Sequence, residues 1–464
     1  MENSTSPQLR FPASAGFTIR ADFDGGALSA DFGAVLLRGI DLQTGLINRL
    51  VSAIHDKRHP SYIDHTLADL LRQRIFQTAS GYADGNDANT LRRDPMFKLA
   101  VGRSPLDDGN DLASGPTLSR LENSVSRQDI YRLARSFVDA FITSYAKAPA
   151  VIVLDMDHSE DATHGQQELA FYNHHYGNHC YLPLFLFEGL SGKLITAVLR
   201  PGKRPTGREN AAIIGRVLHR LRAAWPETHI ILRGDGHFSN PELMRLCQSD
   251  PNLDFIFGLA GNKVLSPKAT PLVERARALH ETRCANARRV GQSEPTATRL
   301  YDDIDYQAAS WPKAYRVVVK AEVMALGDNP RYVVTSLAEP TADILYRELY
   351  CARGQDENFI KALKNDLASD RTSDHAFLAN HLRLFYSCAA YALIHGLREN
   401  TLVHTELAKA QPLSIILTLF KLAVRVVQYK DRIKLSLPTS CPMKGLLARV
   451  TELLYLVPRP PAPA

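Results

Sequence analysis

From Ala148 to about Gly261 the chain breaks into short apolar, β-rich runs separated by turns and helical stretches, and this alternation limits what its middle can become. The runs are APAVIVLDMD, CYLPLFLFEG and LITAVLRPG, followed by a helical segment from Glu209 to Ala224, then HIILRGDG and LDFIFGLAG. Three strands in succession, then strands separated by helices, make a mixed α/β sheet. Asp155 and Asp157 close the first run and Asp235 closes the fourth. The carboxyl ends of strands are where such a sheet presents its chemistry.

The flanks read differently. Residues from about 30 to 145 repeat their apolar positions at helical spacing, for example Leu46, Leu50 and Ile54, or Ile130, Leu133 and Phe137. Residues 1–147 are therefore expected to form a mainly helical N-terminal region, which the family resemblance given below makes DNA-binding. Within it PTLSRLENSVS reads as a capped helix start more readily than as a DNA-contacting turn. Segments 148–264 and 342–375 are expected to form the α/β core. Between them, 265–341 is expected to be an inserted β-containing subdomain, because helical ALHETRCANARRV gives way to the strands YRVVVKAEV and RYVVTSL. Residues 376–464 read as a helical, basic C-terminal region ending in the Pro-rich tail PRPPAPA.

With 464 residues and 45% hydrophobic content the chain can bury several cores. Its net charge of +6 permits a polyanionic partner without demanding one. The six cysteines stand far apart with no CxxC pair, as expected of reduced thiols in a cytoplasmic protein. The N-terminus lacks a signal-peptide core, and the most apolar run, LSIILTLFKLAV, is too short to span a bilayer, so no membrane partner is expected.

The segment YCARGQDENFIKALKNDL carries Tyr350, Arg353, Glu357 and Lys364 in the spacing Tyr-x2-Arg-x3-Glu-x6-Lys. At 3.6 residues per turn these four, with Lys361, fall along one polar stripe, and Phe359, Ile360, Leu363 and Leu367 supply the apolar remainder. A carboxylate among fixed cations suits a metal ligand beside a polyanion. The bland alternative is a surface helix with i, i+4 ion pairs such as Glu357 with Lys361. The acids at the strand ends favour the first reading. Asp157 (or Asp155, two residues away and so on the same face), Asp235 and Glu357 can meet only through folding. Converging carboxylates repel unless cations lie between them, and hard oxygen donors favour Mg²⁺ or Mn²⁺. Two ions roughly 3.5–4 Å apart would clamp a scissile phosphate.

Taken in order, VIVLDMDHSEDATHGQQ, FYNHHYGNHCYLPLFLFEG, LRPG, ILRGDGHFSNPEL and YCARGQDENFIKALKNDLASDRTS resemble bacterial insertion-sequence DDE transposases, in the group with the Tyr-x2-Arg-x3-Glu-x6-Lys signature (transposase DDE domain group 1). The resemblance covers about 150 to 375 most strongly. It implies a ribonuclease H-like mixed-sheet catalytic core with a β-rich insertion, plus helical N- and C-terminal regions. It makes Asp235 and Glu357 the second and third metal ligands and places Tyr350, Arg353 and Lys364 near DNA phosphates. The D-x-S/T pattern of the first acid favours Asp157, followed by Ser159, while Asp155 continues the apolar strand more naturally. The implied partners are double-stranded DNA, as element ends and target, and a second copy in a synaptic homodimer. The implied location is the bacterial cytoplasm, at the nucleoid.

Other residues have competing readings. His158, His164, His174, His175 and His179 with Cys180 match no compact zinc spacing. Lys203, Arg204 and Arg208, with Arg200, line either a DNA path or a solvated turn. Trp311 is a core residue or a platform for an extruded base. Lys421, Arg425, Lys430, Arg432 and Lys434 grip DNA or keep a helix soluble. Three rivals to the transposase reading remain: a metal-dependent nuclease on the same fold, a non-catalytic DNA-binding derivative, and a zinc hydrolase built on the histidines.

Overall fold

The computed structural model of the chain describes residues 8–456, so the Pro-rich tail and the first seven residues lie outside the described residues. The chain forms two compact units. One comprises 126–365 and 369–388; the other joins 1–125 to 366–368 and 389–464.

The first unit is built on one large mixed sheet. Its first strand, β1 (Val151–His158), is followed by β2 (Leu184–Glu188) and β3 (Leu194–Val198), each antiparallel to the one before. Strand β4 (His229–Gly234) then lies parallel to β1 on its other side, and β5 (Leu253–Leu259) lies parallel to β4. The spatial order β3-β2-β1-β4-β5, three antiparallel strands followed by two parallel ones, is the ribonuclease H-like arrangement. Helices take their places by amphipathic pattern and capping. The capping box of Ser126 and Asp129 starts α1 (Arg127–Thr143), and that of Thr206 and Glu209 starts α2 (Gly207–Ala224).

Alternation along β1 sorts its side chains. Ile152, Leu154 and Met156 enter an apolar core with Val138 and Phe141 of α1 and Ile214, Val217, Leu218 and Leu221 of α2. Each such side chain, once removed from water, contributes about 1.5–3 kcal/mol. Asp155 and Asp157 share the opposite face.

The segment 265–341, expected as a subdomain of its own, extends this same sheet. After α3 (Pro241–Gln248) and α4 (Leu265–Arg289), strands β6 (Ala297–Tyr306), β7 (Tyr315–Met324) and β8 (Arg331–Thr335) continue it in the order β5-β8-β7-β6. The junction is antiparallel pairing of β8 with β5, from Ile256 opposite Thr335 to Leu259 opposite Tyr332. Trp311 is buried, its ring edge-on to Tyr306 and Tyr315 at 5.2 and 5.9 Å, which makes it a core residue.

The second unit unites the helices of the N-terminal region, among them Gly33–Thr44, Leu67–Ala79 and Pro95–Val101, with C-terminal segments. The basic stretch from Lys421 is a strand pair, Val424–Gln428 with Ile433–Ser436, and departs from the helix expected there. Val424 and Val426 point inward while Arg425 and Lys434 are exposed, a period of two that only a strand satisfies. Lys421 faces the interior of its unit, 2.7 Å from Asp31 and over the ring of Tyr82. Among the described residues no helix is long and apolar enough to cross a membrane.

Candidate active site

The face of the sheet bearing Asp155 and Asp157 is covered by the helical run that begins at Ala342. Ile256, Val318 and Val333 of the sheet pack there against Ala342, Leu345 and Tyr346. The run is not one regular helix. It widens to π-type turns over Leu345–Tyr350, tightens to a 3₁₀ turn at Cys351–Arg353, is α-helical as α5 over Gly354–Lys361, and widens again over Ala362–Asp366. Such interruptions shift the phase of the side chains and are frequent at functional sites. The single polar stripe expected from a uniform period is accordingly split. Glu357 and Lys361 are exposed, Tyr350, Arg353 and Lys364 are half-buried, and Asp356 is fully buried.

The two candidate first acids have different surroundings. Asp155 is inaccessible to solvent and bound at two points by Arg233, its cross-strand neighbour on β4, with Nε–Oδ1 at 2.5 Å and Nη2–Oδ2 at 2.6 Å. The third arm of Arg233 donates to the carbonyl of Leu349, which ties the sheet to the helical run. Asp157, at the strand end, keeps 18% of its side chain exposed and meets Nη1 of Arg353 at 3.3 Å. Nη2 of the same guanidinium lies 3.7 Å from the carboxylate of Glu357. One cation thus spans two of the predicted acids. Asp235 follows β4 directly; its Oδ1 accepts the backbone N–H of His237 at 2.9 Å and its Oδ2 lies 3.4 Å from the His237 ring.

Electrostatics joins the three acids. Burial pushes the Asp157 carboxyl up to about 6; Arg353 opposes the rise, and the charges of Asp235 and Glu357 add to it. Tyr350 stands against the same turn. Burial raises its phenol, with Arg353 opposing and Asp235 adding. Its hydroxyl lies where a β-carbon on Gly258 would come within 2.6 Å, and the backbone of Gly236 and Asp235 is nearly as close, so β5 needs glycine there.

Asp356 carries no signature and was not singled out from the sequence. Both of its carboxylate oxygens lack a hydrogen-bond partner, and burial, then Asp155 and Asp157, hold its carboxyl well above the usual range. The only sequence sign was an acid at the inward phase of an otherwise apolar helix face. Arg233 gave none, because a strand arginine acquires its meaning only from the register that sets it opposite Asp155.

Lys364 reaches toward the turn after β1, donating to Ser159 Oγ at 3.3 Å and to the carbonyl of Glu160. Lys203, Arg204 and Arg208 are exposed around the start of α2, and Arg200 is buried and paired with Glu209 at 3.3 Å. His158 is half-buried and stacked on Phe238, whereas His164, His174, His175 and His179 are exposed.

Among the described residues no three His, Cys, Asp or Glu side chains stand close enough to enclose an ion as they are. The donor set nonetheless fits a hard divalent cation. Asp157, Asp235 and Glu357 are oxygen donors, each at least partly exposed, and Arg353 offsets the repulsion between two of them.

The sequence model of the transposase DDE domain group 1 family matches residues 11–458. A solved structure of the piggyBac transposase, in a synaptic complex with hairpin DNA, aligns at a TM-score of 0.44 and 12% identity, covering 94% of this chain and 87% of that one. No curated protein matches the chain.

Proposed function

The chain belongs to the transposase DDE domain group 1 family, and from that premise we propose that Asp157, Asp235 and Glu357 are its three catalytic acids. It is a DDE transposase. Enzymes of this class generally use divalent metal ions; here the ions are Mg²⁺ or Mn²⁺, two in number, and when bound they polarise the scissile phosphate and lower the cost of the leaving oxygen.

The chain's own residues do the rest. Asp157 and Asp235 extend from neighbouring parallel strands and Glu357 from the helical run above them, so sheet and helix together set their spacing. Asp155 is the structural acid of the pair, its two oxygens engaged by Arg233. Arg353 pairs with Asp157 and with Glu357. With Tyr350, Lys364 and the exposed Lys361 it contacts the DNA backbone. Lys203, Arg204 and Arg208 extend the cationic surface along the duplex. The substrate is the terminal inverted repeats of the enzyme's own element, cut at the element ends and joined through their 3′-hydroxyls to target DNA in a synaptic homodimer. A water molecule and then a DNA hydroxyl serve as successive nucleophiles on the same phosphodiester geometry, so one set of acids supports both steps.

The observation that carries this reading is the shared field of Asp157, Asp235 and Glu357, far apart in sequence and coupled in space. The test uses Asp235→Asn and Glu357→Gln, which remove charge without removing volume. Each is expected to bind end-containing duplex as the wild type does and to lose at least about 10²-fold in Mg²⁺- or Mn²⁺-dependent cleavage and joining. Near wild-type cleavage by either variant removes that residue from the site. Cleavage without joining of a labelled end to plasmid DNA makes the protein a nuclease.

A further inference from the structure

Between β1 and β2 lies a hairpin that the three acids do not explain. Phe171–Asn173 pairs antiparallel with Asn178–Tyr181, setting Tyr172 opposite His179 and Asn173 opposite Asn178. The turn closes on Asn173, whose side chain accepts the backbone N–H of His175 at 2.9 Å and whose carbonyl accepts that of Gly177 at 2.8 Å. Gly177 supplies the left-handed φ of +73° there. Alternation gives the hairpin two faces. The inner one is tied down. Asn173 donates to the Gly202 carbonyl at 3.0 Å, Asn178 donates to the Glu160 carboxylate, and the Lys203 ammonium lies 4.2 Å from the centre of the Phe171 ring. Gly202 has no room for a side chain, since a β-carbon would fall 2.1 Å from the Cys180 carbonyl oxygen.

The outer face carries rings. Tyr172, His174 and His179 are exposed, and both imidazoles stand edge-on to the phenol, with centroids 5.1 and 5.5 Å away. Among the described residues no ring lies flat on Tyr172, so its face is open to another flat group. At the tip His175 and Tyr176 are exposed, their ring centres 4.7 Å apart. The moorings show which flat group can arrive. Glu160 stands three residues beyond Asp157, and Lys203 belongs to the exposed cationic turn with Arg204 and Arg208. Burial raises the Tyr176 phenol, and the charges of Asp157, Glu160 and Asp235 add to the rise, as they do only when those acids are near. Flat groups that come with phosphates are nucleobases. Paired bases keep their faces inside the duplex stack, so only unpaired ones can lie on these rings.

We infer that the outer face of this hairpin, Tyr172 with His174 and His179 and with Tyr176 at the tip, is a stacking surface for unpaired nucleotides beside the scissile phosphate. The inference rests on Asp157 and Asp235 being the acids that receive DNA. It adds a contact to bases where the cationic turn meets only the backbone. Every base has a π face, so such a surface holds an opened strand without selecting its sequence.

The experiment compares wild type, Tyr172→Ala, Tyr172→Phe and Tyr176→Ala in the full chain, without metal so that nothing is cut. The probes are a blunt duplex and the same duplex extended by a short single-stranded tail containing 2-aminopurine. Affinity across a salt series and the fluorescence of the tail are read. Wild type is expected to bind the tailed duplex about tenfold or more tightly than the blunt one and to quench its fluorophore. Both Ala variants should lose at least about fivefold of that preference, bind the blunt duplex as the wild type does, and keep the wild-type salt slope. Tyr172→Phe should retain the preference. Equal wild-type affinity for the two probes overturns the inference. A Tyr172→Phe variant as weak as Tyr172→Ala also overturns it, because the hydroxyl is then the contact. Ala variants that bind both probes as the wild type does but sediment as a smaller assembly overturn it as well, and make this face a seat for a second copy. None of these readings involves cleavage, so wild-type protein that cuts nothing with metal refutes the catalytic assignment separately.

Discussion

Asp157 is pulled two ways. Burial and the charges of Asp235 and Glu357 favour its protonated form, Arg353 favours the ionised one, and its carboxyl settles at about 6. An acid whose folded value lies above its ordinary 3.8 holds its proton more tightly when folded. The metal-free protein therefore loses stability as pH climbs from 3.8 to about 6, about 3 kcal/mol from this residue. Urea denaturation at pH 4 and pH 7 should show a smaller loss in Asp157→Asn than in wild type. Cation binding needs the ionised form, so Mn²⁺ affinity is expected to be about tenfold weaker at pH 5 than at pH 7, as titration would read it. A pH-independent affinity would take Asp157 out of the ligand set. Asp155 responds to a different threat. Replacing it with Asn leaves Arg233 charged and half-satisfied in a place without water, and unfolding at pH 7 should show a loss of about 3 kcal/mol or more. The two aspartates, indistinguishable by strand position, separate only once the register names the partner of one of them.

At the scale of elements, β5 fits tightly against the turn after β4. A β-carbon on Gly258 would sit 2.6 Å from the Tyr350 hydroxyl, 3.0 Å from the Gly236 nitrogen and 3.2 Å from the Asp235 carbonyl carbon. Tyr350 can give way, but the backbone cannot do so without moving Asp235. Gly258→Ala is expected to lower stability by about 1–3 kcal/mol and to reduce cleavage further than that loss explains, with thermal melting and cleavage assays as the two readings. Much of this architecture is legible in the chain before folding. VIVLDMD, FLFEG, HIILRG and LDFIFG are strands, because buried strands in a mixed sheet read as apolar runs, and the acids stand at their ends. What periodicity cannot encode is which strand pairs with which, so YRVVVKAEV and RYVVTSL are readable as strands while their union with the core sheet is not. The hairpin at Val424–Gln428 was open to reading in the alternation of VRV and IKL, which the density of Lys and Arg obscures. Departures from 3.6 residues per turn between Leu345 and Asp366 are similarly invisible in residue types. They split the polar stripe, leaving Glu357 exposed and Lys364 half-buried, 3.6 Å from Asp161.

For the molecule as a whole, a net charge of +6 says little until the cations already engaged are set aside. Arg220 is paired with Asp139, Arg222 with Asp250, Arg299 with Glu322 and Arg316 with Asp303, while Lys421 is held by Asp31. These arginines and this lysine hold elements in place and add little to the outward field. Lys203, Arg204 and Arg208 differ. They are exposed, have no ion-pair partner among the described residues, and stand on a segment fixed by the Thr206 cap and the Arg200–Glu209 pair. A rigid, uncompensated cationic turn is the kind of feature that displaces counterions from a duplex, and each phosphate so neutralised contributes about 0.9 to the salt slope of binding. Changing all three residues to Ala should therefore reduce that slope by about 2 to 3, weaken specific and non-specific duplexes alike, and leave Mn²⁺ binding unchanged, because none of the three touches the acids. Fluorescence anisotropy across a salt series would measure it. An unchanged slope would make this turn merely solvated and move the DNA path elsewhere, whereas a loss confined to one sequence would mean base contacts that the short, exposed segment is poorly shaped to make.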